Sequence, residues 1–292
     1  MKMLIVVFSG TGNTDYVSKA LTKELNKNGV LVEYIPLGLS KKEKASFEML
    51  SENLDSYDML GIGFPILGCN APGIIYDFIT TLPCKKHDAF LFATAADPHE
   101  INHLAFDELS KCLQQKDYRV IHNFLYLMPC NFMIAYPEPF NLQILDTIQS
   151  KVFLHTNELI QKSEKTLSIT SGWKIIAKTI HYVENRWGRK FFGKSLYTNS
   201  HCTLCLHCLH HCPMGNIAQN SNTLNFGENC LFCMRCIYNC PQKAIQSKWY
   251  TWFILQEGYN LKNILNKKNS NRTFITNQST GFWKHFYHYF DI

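Results

Sequence analysis

The chain has 292 residues, 46 % of them hydrophobic, which is enough for one large domain or two of unequal size, each with a real core. Its net charge of +6 is mildly basic, and no block of like charge is long enough for a nucleic-acid arm, so nucleic acid is excluded as a partner. No run approaches the ~18 to 20 uninterrupted apolar residues of a membrane span.

The first apolar run, residues 3–8, meets Ser9-Gly10-Thr11-Gly12 where a signal peptide would still be apolar, so it reads as a strand. It is short, continuous and rich in β-branched residues, which suits a strand buried on both faces of a parallel sheet. After Ser9-Gly10-Thr11-Gly12-Asn13-Thr14, the residues Val17, Leu21 and Leu25 recur every four positions, so a helix follows with Asn13 or Thr14 near its cap. Backbone N–H groups at two glycines, with the hydroxyls of Ser9, Thr11 and Thr14, then surround the positive end of a helix dipole, which makes a phosphate seat. No lysine is supplied as in a triphosphate loop, and the third glycine of a dinucleotide loop is missing. A terminal phosphate monoester held by hydrogen bonds fits this seat; a plain Gly/Asn turn with a helix cap is the alternative.

The runs 30–35, 59–64, 89–93 and 118–127 read as four more strands. Helical stretches lie between them: Ile75, Phe78 and Ile79 after Pro72, then Phe106, Leu109 and Leu113, then Leu145, Ile148, Val152 and Leu159. Five strands alternating with helices predict an α/β, doubly wound parallel sheet over residues 1–165. In such a sheet ligands bind at the carboxyl ends of the strands beside the switch point.

The Ser9–Thr14 loop resembles the phosphate loop of flavodoxins, which holds the ribityl phosphate of FMN, and it stands in the same place after the first strand. That resemblance implies strand order 2-1-3-4-5 and FMN as cofactor. It also implies ring contacts from Pro65, Ile66, Leu67 and Gly68 after the third strand and from Thr94, Ala95 and Ala96 after the fourth. Neither loop carries the aromatic that usually stacks on the flavin ring; Phe132 or Tyr136 could approach instead, or both could simply pack beneath their loop. Asp97, His99 and Glu100 are the candidate acids and bases if the chain reduces a substrate of its own, and solvated loop residues otherwise.

Residues 166–197 form a connector. Ile176, Ile180, Val183 and Trp187 share one helical stripe, with Lys174, Lys178, Arg186, Arg189 and Lys190 around it, a basic amphipathic helix. Its basic face is read as solvated, with an acidic partner or a membrane surface as the alternatives.

Residues 198–246 contain the densest pattern, CTLCLHCLHHCP and, seventeen residues later, CLFCMRCIYNCP. Both read Cys-x2-Cys-x2-Cys-x3-Cys-Pro, the spacing of bacterial two-cluster ferredoxins. Three thiolates on one tight loop reach three irons of a cubane while the fourth goes to the other cluster. Cys202, Cys205, Cys208 and Cys240 are therefore assigned to one [4Fe-4S] cluster, and Cys212, Cys230, Cys233 and Cys236 to the second. Zinc ordinarily takes paired knuckles of four ligands per site, and a disulfide framework belongs to exported chains. Twelve cysteines without an export signal point to a reducing cytoplasm. His201, His207, His210 and His211 lie beside ligand sets that are already complete, and Cys69, Cys84, Cys112 and Cys130 are isolated and read as small hydrophobes.

Residues 247–292 are a tail with aromatic segments at 249–255 and 282–290 around an Asn- and Lys-rich middle expected to be loop or disordered. The aromatics are expected to pack across the domain junction, with a membrane-interface anchor as the alternative. Taken together, the chain resembles the fused flavodoxin-ferredoxin proteins of anaerobic bacteria and archaea. The resemblance implies electron transfer between two [4Fe-4S] clusters and FMN, serving a redox protein or a small-molecule acceptor. Two other readings stand beside it, a binding, assembly or sensory module with no permanent flavin, and a flavin-dependent reductase.

Overall fold

In the computed structural model, which describes residues 1–38, 54–267 and 272–290, the apolar runs become β1 (Lys2–Val7), β2 (Leu31–Pro36), β3 (Met59–Pro65), β4 (His87–Ala95) and β5 (Tyr118–Leu127). They form one sheet of order β2-β1-β3-β4-β5 in which every pair is parallel. This is the flavodoxin-like, doubly wound order that the resemblance of the Ser9–Thr14 loop implies. β4 runs past its apolar segment because Thr94 still pairs with Pro65 of β3.

Helices cover both faces, which is why the inner strands are apolar at consecutive positions. Met3, Ile5 and Val7 pack with α1 (Asn13–Lys27) and α4 (Glu138–Ile160), while Leu4 and Val6 pack with α2 (Gly73–Thr81) and α3 (Leu104–Gln114). Helix α4 starts earlier than its apolar stripe suggested, with Pro137 as N-cap and a proline in its first turn.

The connector departs from its expected orientation. α5 (Ser171–Val183) continues through a π-helical turn, Glu184–Gly188, into α6 (Arg189–Ser195). Lys174 and Lys178 turn inward to Asp107 and Glu108 of α3, at 2.8 and 3.6 Å, with Ala177 fully buried between them. The apolar stripe therefore faces outward, leaving Ile176, Ile180, Val183 and Trp187 exposed. Two carboxylates on α3 decide the roll of the helix, and the connector's own periodicity carries no trace of them.

The cysteine-rich segment folds around two strand pairs, β6 (Leu196–Thr198) with β9 (Ile245–Ser247) and β7 (Ile217–Asn220) with β8 (Thr223–Phe226). Single helical turns α7 (His207–His210) and α8 (Arg235–Tyr238) occupy equivalent places in its halves. The tail returns to the sheet unit: Tyr259, Leu261, Ile275 and Phe286 are buried in the core beside α1 and α4, and Tyr289 Oη accepts a hydrogen bond from Leu127 N at 2.9 Å. α9 (Leu261–Leu265) and α10 (Tyr287–Phe290) lie in this tail. Part of its Asn-rich middle, 268–271, lies outside the described residues. Among the described residues no helix is long and apolar enough to cross a membrane.

Candidate functional site

The loop after β1 turns on Gly12, whose φ of 99° places it in the left-handed region at the N-cap of α1. Thr14 Oγ1 bonds to Thr94 Oγ1 at 2.8 Å, Thr11 Oγ1 accepts from Asn131 Nδ2 at 2.7 Å, and Asn13 Nδ2 donates to Pro129 O at 3.1 Å. Asn13 also takes the hydroxyl of Tyr259 from the tail. Ser9 Oγ is buried with no partner. A buried hydroxyl without a partner is costly unless something fills its hydrogen bond, and at the N-terminus of a 15-residue helix an anion fits that role.

Below the loop lies a cavity of about 320 Å³. It gathers Ser9, Gly10, Thr11, Asn13 and Thr14 with Pro65, Ile66, Leu67 and Gly68 and with Thr94, Ala95 and Ala96. Of the residues expected to bind the cofactor, Gly12 alone stays out of the lining, since it serves the turn. The ring-side loop is held stiffly. Ile66 N donates to Thr94 O at 2.8 Å, and Gly68 and Cys69, with φ of 56° and 61°, make a tight turn closed by Leu67 N to Asn70 O at 2.8 Å. Fully buried Asn70 is fixed in turn by Glu108 and Tyr76.

The far wall comes from parts of the chain that no local pattern connects to this loop. Ile180 and Glu184 reach it from the connector, Phe253 from the tail, and Phe232, Cys233 and Met234 from the second cysteine run. Gly10 is required here by close approach: a Cβ on it would stand 2.3 Å from Cys233 O. Arg235 Nη2 donates to Ser9 O at 2.7 Å, tying the same two loops together. Phe132 lines the cavity and packs on Phe253 at 5.3 Å between ring centroids, and Phe253 packs on Phe232 at 5.1 Å. Tyr136 does not reach the cavity; its hydroxyl donates to Ala96 O and its ring packs on Phe140 and Trp283.

Asp97 also lines the cavity, but its carboxylate accepts from His99 N at 2.7 Å and pairs with His285 at 2.7 Å. His99 accepts from Ile101 N, and Glu100 is engaged with Thr170. Among the described residues Glu184 also faces the space, packed against Gly68 and paired with Arg189 at 3.3 Å; burial raises its carboxyl above the ordinary range.

The eight cysteines of the repeat sort into two cavities. One is lined by Cys202, Cys205, Cys208 and Cys240 and the other by Cys212, Cys230, Cys233 and Cys236. In each set the fourth sulfur is contributed by the opposite half. Left-handed residues recur at equivalent places, Leu204 and Leu206 in the first half, Phe232 and Met234 in the second. After left-handed Gly215 and Lys243, Asn216 N donates to Cys212 Sγ at 3.2 Å and Ala244 N to Cys240 Sγ at 3.3 Å, and Phe232 N donates to Cys230 Sγ at 3.5 Å. Among the described residues no three His, Cys, Asp or Glu side chains converge tightly enough for a single metal ion. Four cysteines on each cavity are the kind of donor set that a [4Fe-4S] cluster takes. Burial pushes the Cys230 thiol up to about 12 and the Cys236 thiol well above its ordinary value, which holds both in the neutral thiol form unless a cation stands beside them.

Of the isolated cysteines, Cys130 is buried and donates to Phe132 O at 3.0 Å, Cys69 lines the cavity under the Ser9–Thr14 loop, Cys112 is half-buried and Cys84 is exposed. His207 and His211 stack on each other at 4.1 Å, and His207 lines the cavity of the first sulfur set. A second cavity of about 400 Å³, lying between residues 130–141, 237–246 and 254–264, holds none of the expected cofactor residues.

No protein-family model matches the chain, and no curated protein does. Solved structures that resemble it include a flavodoxin from the domain Archaea, 13 % identical with TM-score 0.38, covering 55 % of this chain and 99 % of that one. Flavodoxin 1 from Bacillus cereus is 18 % identical with TM-score 0.40, covering 55 % and 98 %. An NAD(P)H:quinone oxidoreductase from Methanothermobacter marburgensis is 13 % identical with TM-score 0.42, covering 55 % and 96 %. At these identities and scores the flavodoxin-like fold rests on the sheet order of the chain itself.

Proposed function

We propose that the chain is an electron-transfer protein in which two [4Fe-4S] clusters exchange electrons with a bound FMN on behalf of a redox partner. The observation that carries this reading is Cys233, which lines both the cavity under the Ser9–Thr14 loop and the cavity of the second sulfur set. A cofactor in the first cavity and a cluster in the second would be separated by little more than one residue. Proximity of this kind is what a protein supplies to electron carriers.

In this reading Cys202, Cys205, Cys208 and Cys240 hold one cluster and Cys212, Cys230, Cys233 and Cys236 the other. Ser9 Oγ and the N–H groups at the start of α1 hold the FMN phosphate. Pro65, Ile66, Leu67, Gly68, Thr94, Ala95 and Ala96 frame the ring, and Phe132, Phe232 and Phe253 supply the aromatic surface that the ring-side loops lack. A flavin pairs single electrons into two-electron chemistry. The apolar wall of Ile66, Met234 and Phe253 keeps water from the exchange. Thiolate ligands in this number call for a reducing compartment, and we place the protein in the cytoplasm.

A second reading, a reductase with its own substrate, is favoured by Glu184, an ionisable side chain on the cavity wall. An anaerobic reductive titration followed in the visible tests the first reading. Full reduction is expected to consume about four electron equivalents per chain, one for each cluster and two for the flavin. Consumption of about two with full cluster absorbance overturns the flavin and leaves a cluster-binding module.

A further inference from the structure

Every cysteine of the second run follows its counterpart by 28 residues, so the surroundings of the two sulfur sets can be compared position by position. They differ in charge. Where the first half has His207 at the start of its helical turn, the second has Arg235. Arg235 is pinned there: Nη2 donates to Ser9 O at 2.7 Å, Nη1 to His211 O at 3.4 Å, and the guanidinium stands 5.4 Å from the centre of the Phe8 ring.

Arg189 is a second cation beside this set. It is only 5 % exposed, its Nε meets Glu184 Oε1 at 3.3 Å, and its Nη2 is buried with no partner. Its helix, α6, packs directly on Cys230, since a Cβ on Gly193 would stand 3.0 Å from Cys230 Cβ. Beside the first set, Lys243 is exposed and its charge is screened by water.

We propose that Arg189 and Arg235 make the cavity of Cys212, Cys230, Cys233 and Cys236 the electron sink of the pair. Electrons enter at the more exposed set, Cys202, Cys205, Cys208 and Cys240, and collect beside the flavin cavity. In each transfer the first cluster loses one electron and the second gains it; a low-potential one-electron donor protein refills the first. The inference rests on the two-cluster reading above.

Two effects oppose it. Cys233 is buried whereas Cys205 is exposed, and burial by itself disfavours added negative charge. Glu184 partly cancels Arg189. The same burial, however, lowers the local dielectric, so that a nearby guanidinium acts several times more strongly than it would at the surface. Two guanidiniums beside the second set are expected to outweigh the desolvation, with a preference for the second cluster of about tenfold.

The test is a potentiometric titration of the anaerobic full chain, with both clusters followed by electron paramagnetic resonance. The wild type is expected to show two cluster couples. Arg235→Gln and Arg189→Gln are each expected to lower the upper couple, shrinking the preference several-fold without moving the lower one, while Arg189→Lys retains it. A single couple for both clusters, an upper couple unmoved by both Gln variants, or equal movement of both couples overturns the proposal. Arg235 is half-buried, so its variant carries the test if Arg189→Gln does not fold. Iron analysis separates the two levels of inference. About eight irons with equal couples refutes only the asymmetry, whereas zinc or no iron refutes the clusters as well.

Discussion

Of the three hydroxyls in the Ser9–Thr14 loop, two are already engaged, Thr11 with Asn131 and Thr14 with Thr94, while Ser9 Oγ is buried without a partner. Composition made all three equal candidates for a phosphate; the surrounding contacts single out one. Ser9→Ala is therefore expected to leave stability within about 0.5 kcal/mol of wild type. It should weaken FMN binding by roughly tenfold, the worth of one hydrogen bond to an anion. Thr14→Val is expected to reverse the balance, because it strands the Thr94 hydroxyl in the core at a cost of about 1 to 3 kcal/mol. Flavin fluorescence titration and chemical denaturation of the two variants separate these outcomes. Gly10 shows the limit of reading a loop by its residue types. Its glycine suits a phosphate seat, but the backbone that demands it is Cys233, more than two hundred positions away.

At the scale of elements, strands were legible because a strand covered on both faces is apolar at consecutive positions, as 3–8 and 59–64 are. Helix α5 was legible as a helix but not in its roll. An apolar stripe ordinarily points inward; here Asp107 and Glu108 hold the lysine face against α3 instead. Replacing Ile176 and Val183 by Gln is accordingly expected to change stability by no more than about 0.5 kcal/mol, where a buried stripe would cost several. Equilibrium denaturation checks this. Helix α4 carries a pH dependence of its own. His155 packs on Phe124 at 4.1 Å and bonds to Tyr126 Oη at 2.8 Å, and its burial lowers the imidazole to about 3. Below the ordinary histidine value of about 6.5 the unfolded chain takes up a proton that the native state refuses. Stability should thus be complete above that value and fall as pH drops toward about 3, with a slope approaching 1.4 kcal/mol per pH unit. Denaturation midpoints between pH 7 and 4.5 should show this slope, and His155→Gln should flatten it.

For the whole molecule, three separately readable parts close around one space. Sequence patterns located the phosphate loop and the cysteine repeat, each through a local spacing. They could not show that Phe232, Cys233 and Met234 meet Gly10, or that Glu184 and Phe253 complete the wall, because those contacts join segments far apart in the chain. The tail belongs to this closure. Fully buried Phe286 packs on Phe140 and Tyr136 at centroid distances of 5.0 and 6.0 Å. Phe286→Ala is expected to cost about 3 to 5 kcal/mol in thermal or chemical unfolding, and a loss well under 1 kcal/mol would mean that the tail is not part of the core. The central claim, that one chain holds two clusters and a flavin side by side, is tested most directly by assaying iron, sulfide and flavin together on one anaerobically purified sample. The prediction is about eight irons, about eight sulfides and one flavin per chain, whereas zinc in place of iron, or full iron with no flavin, would contradict it.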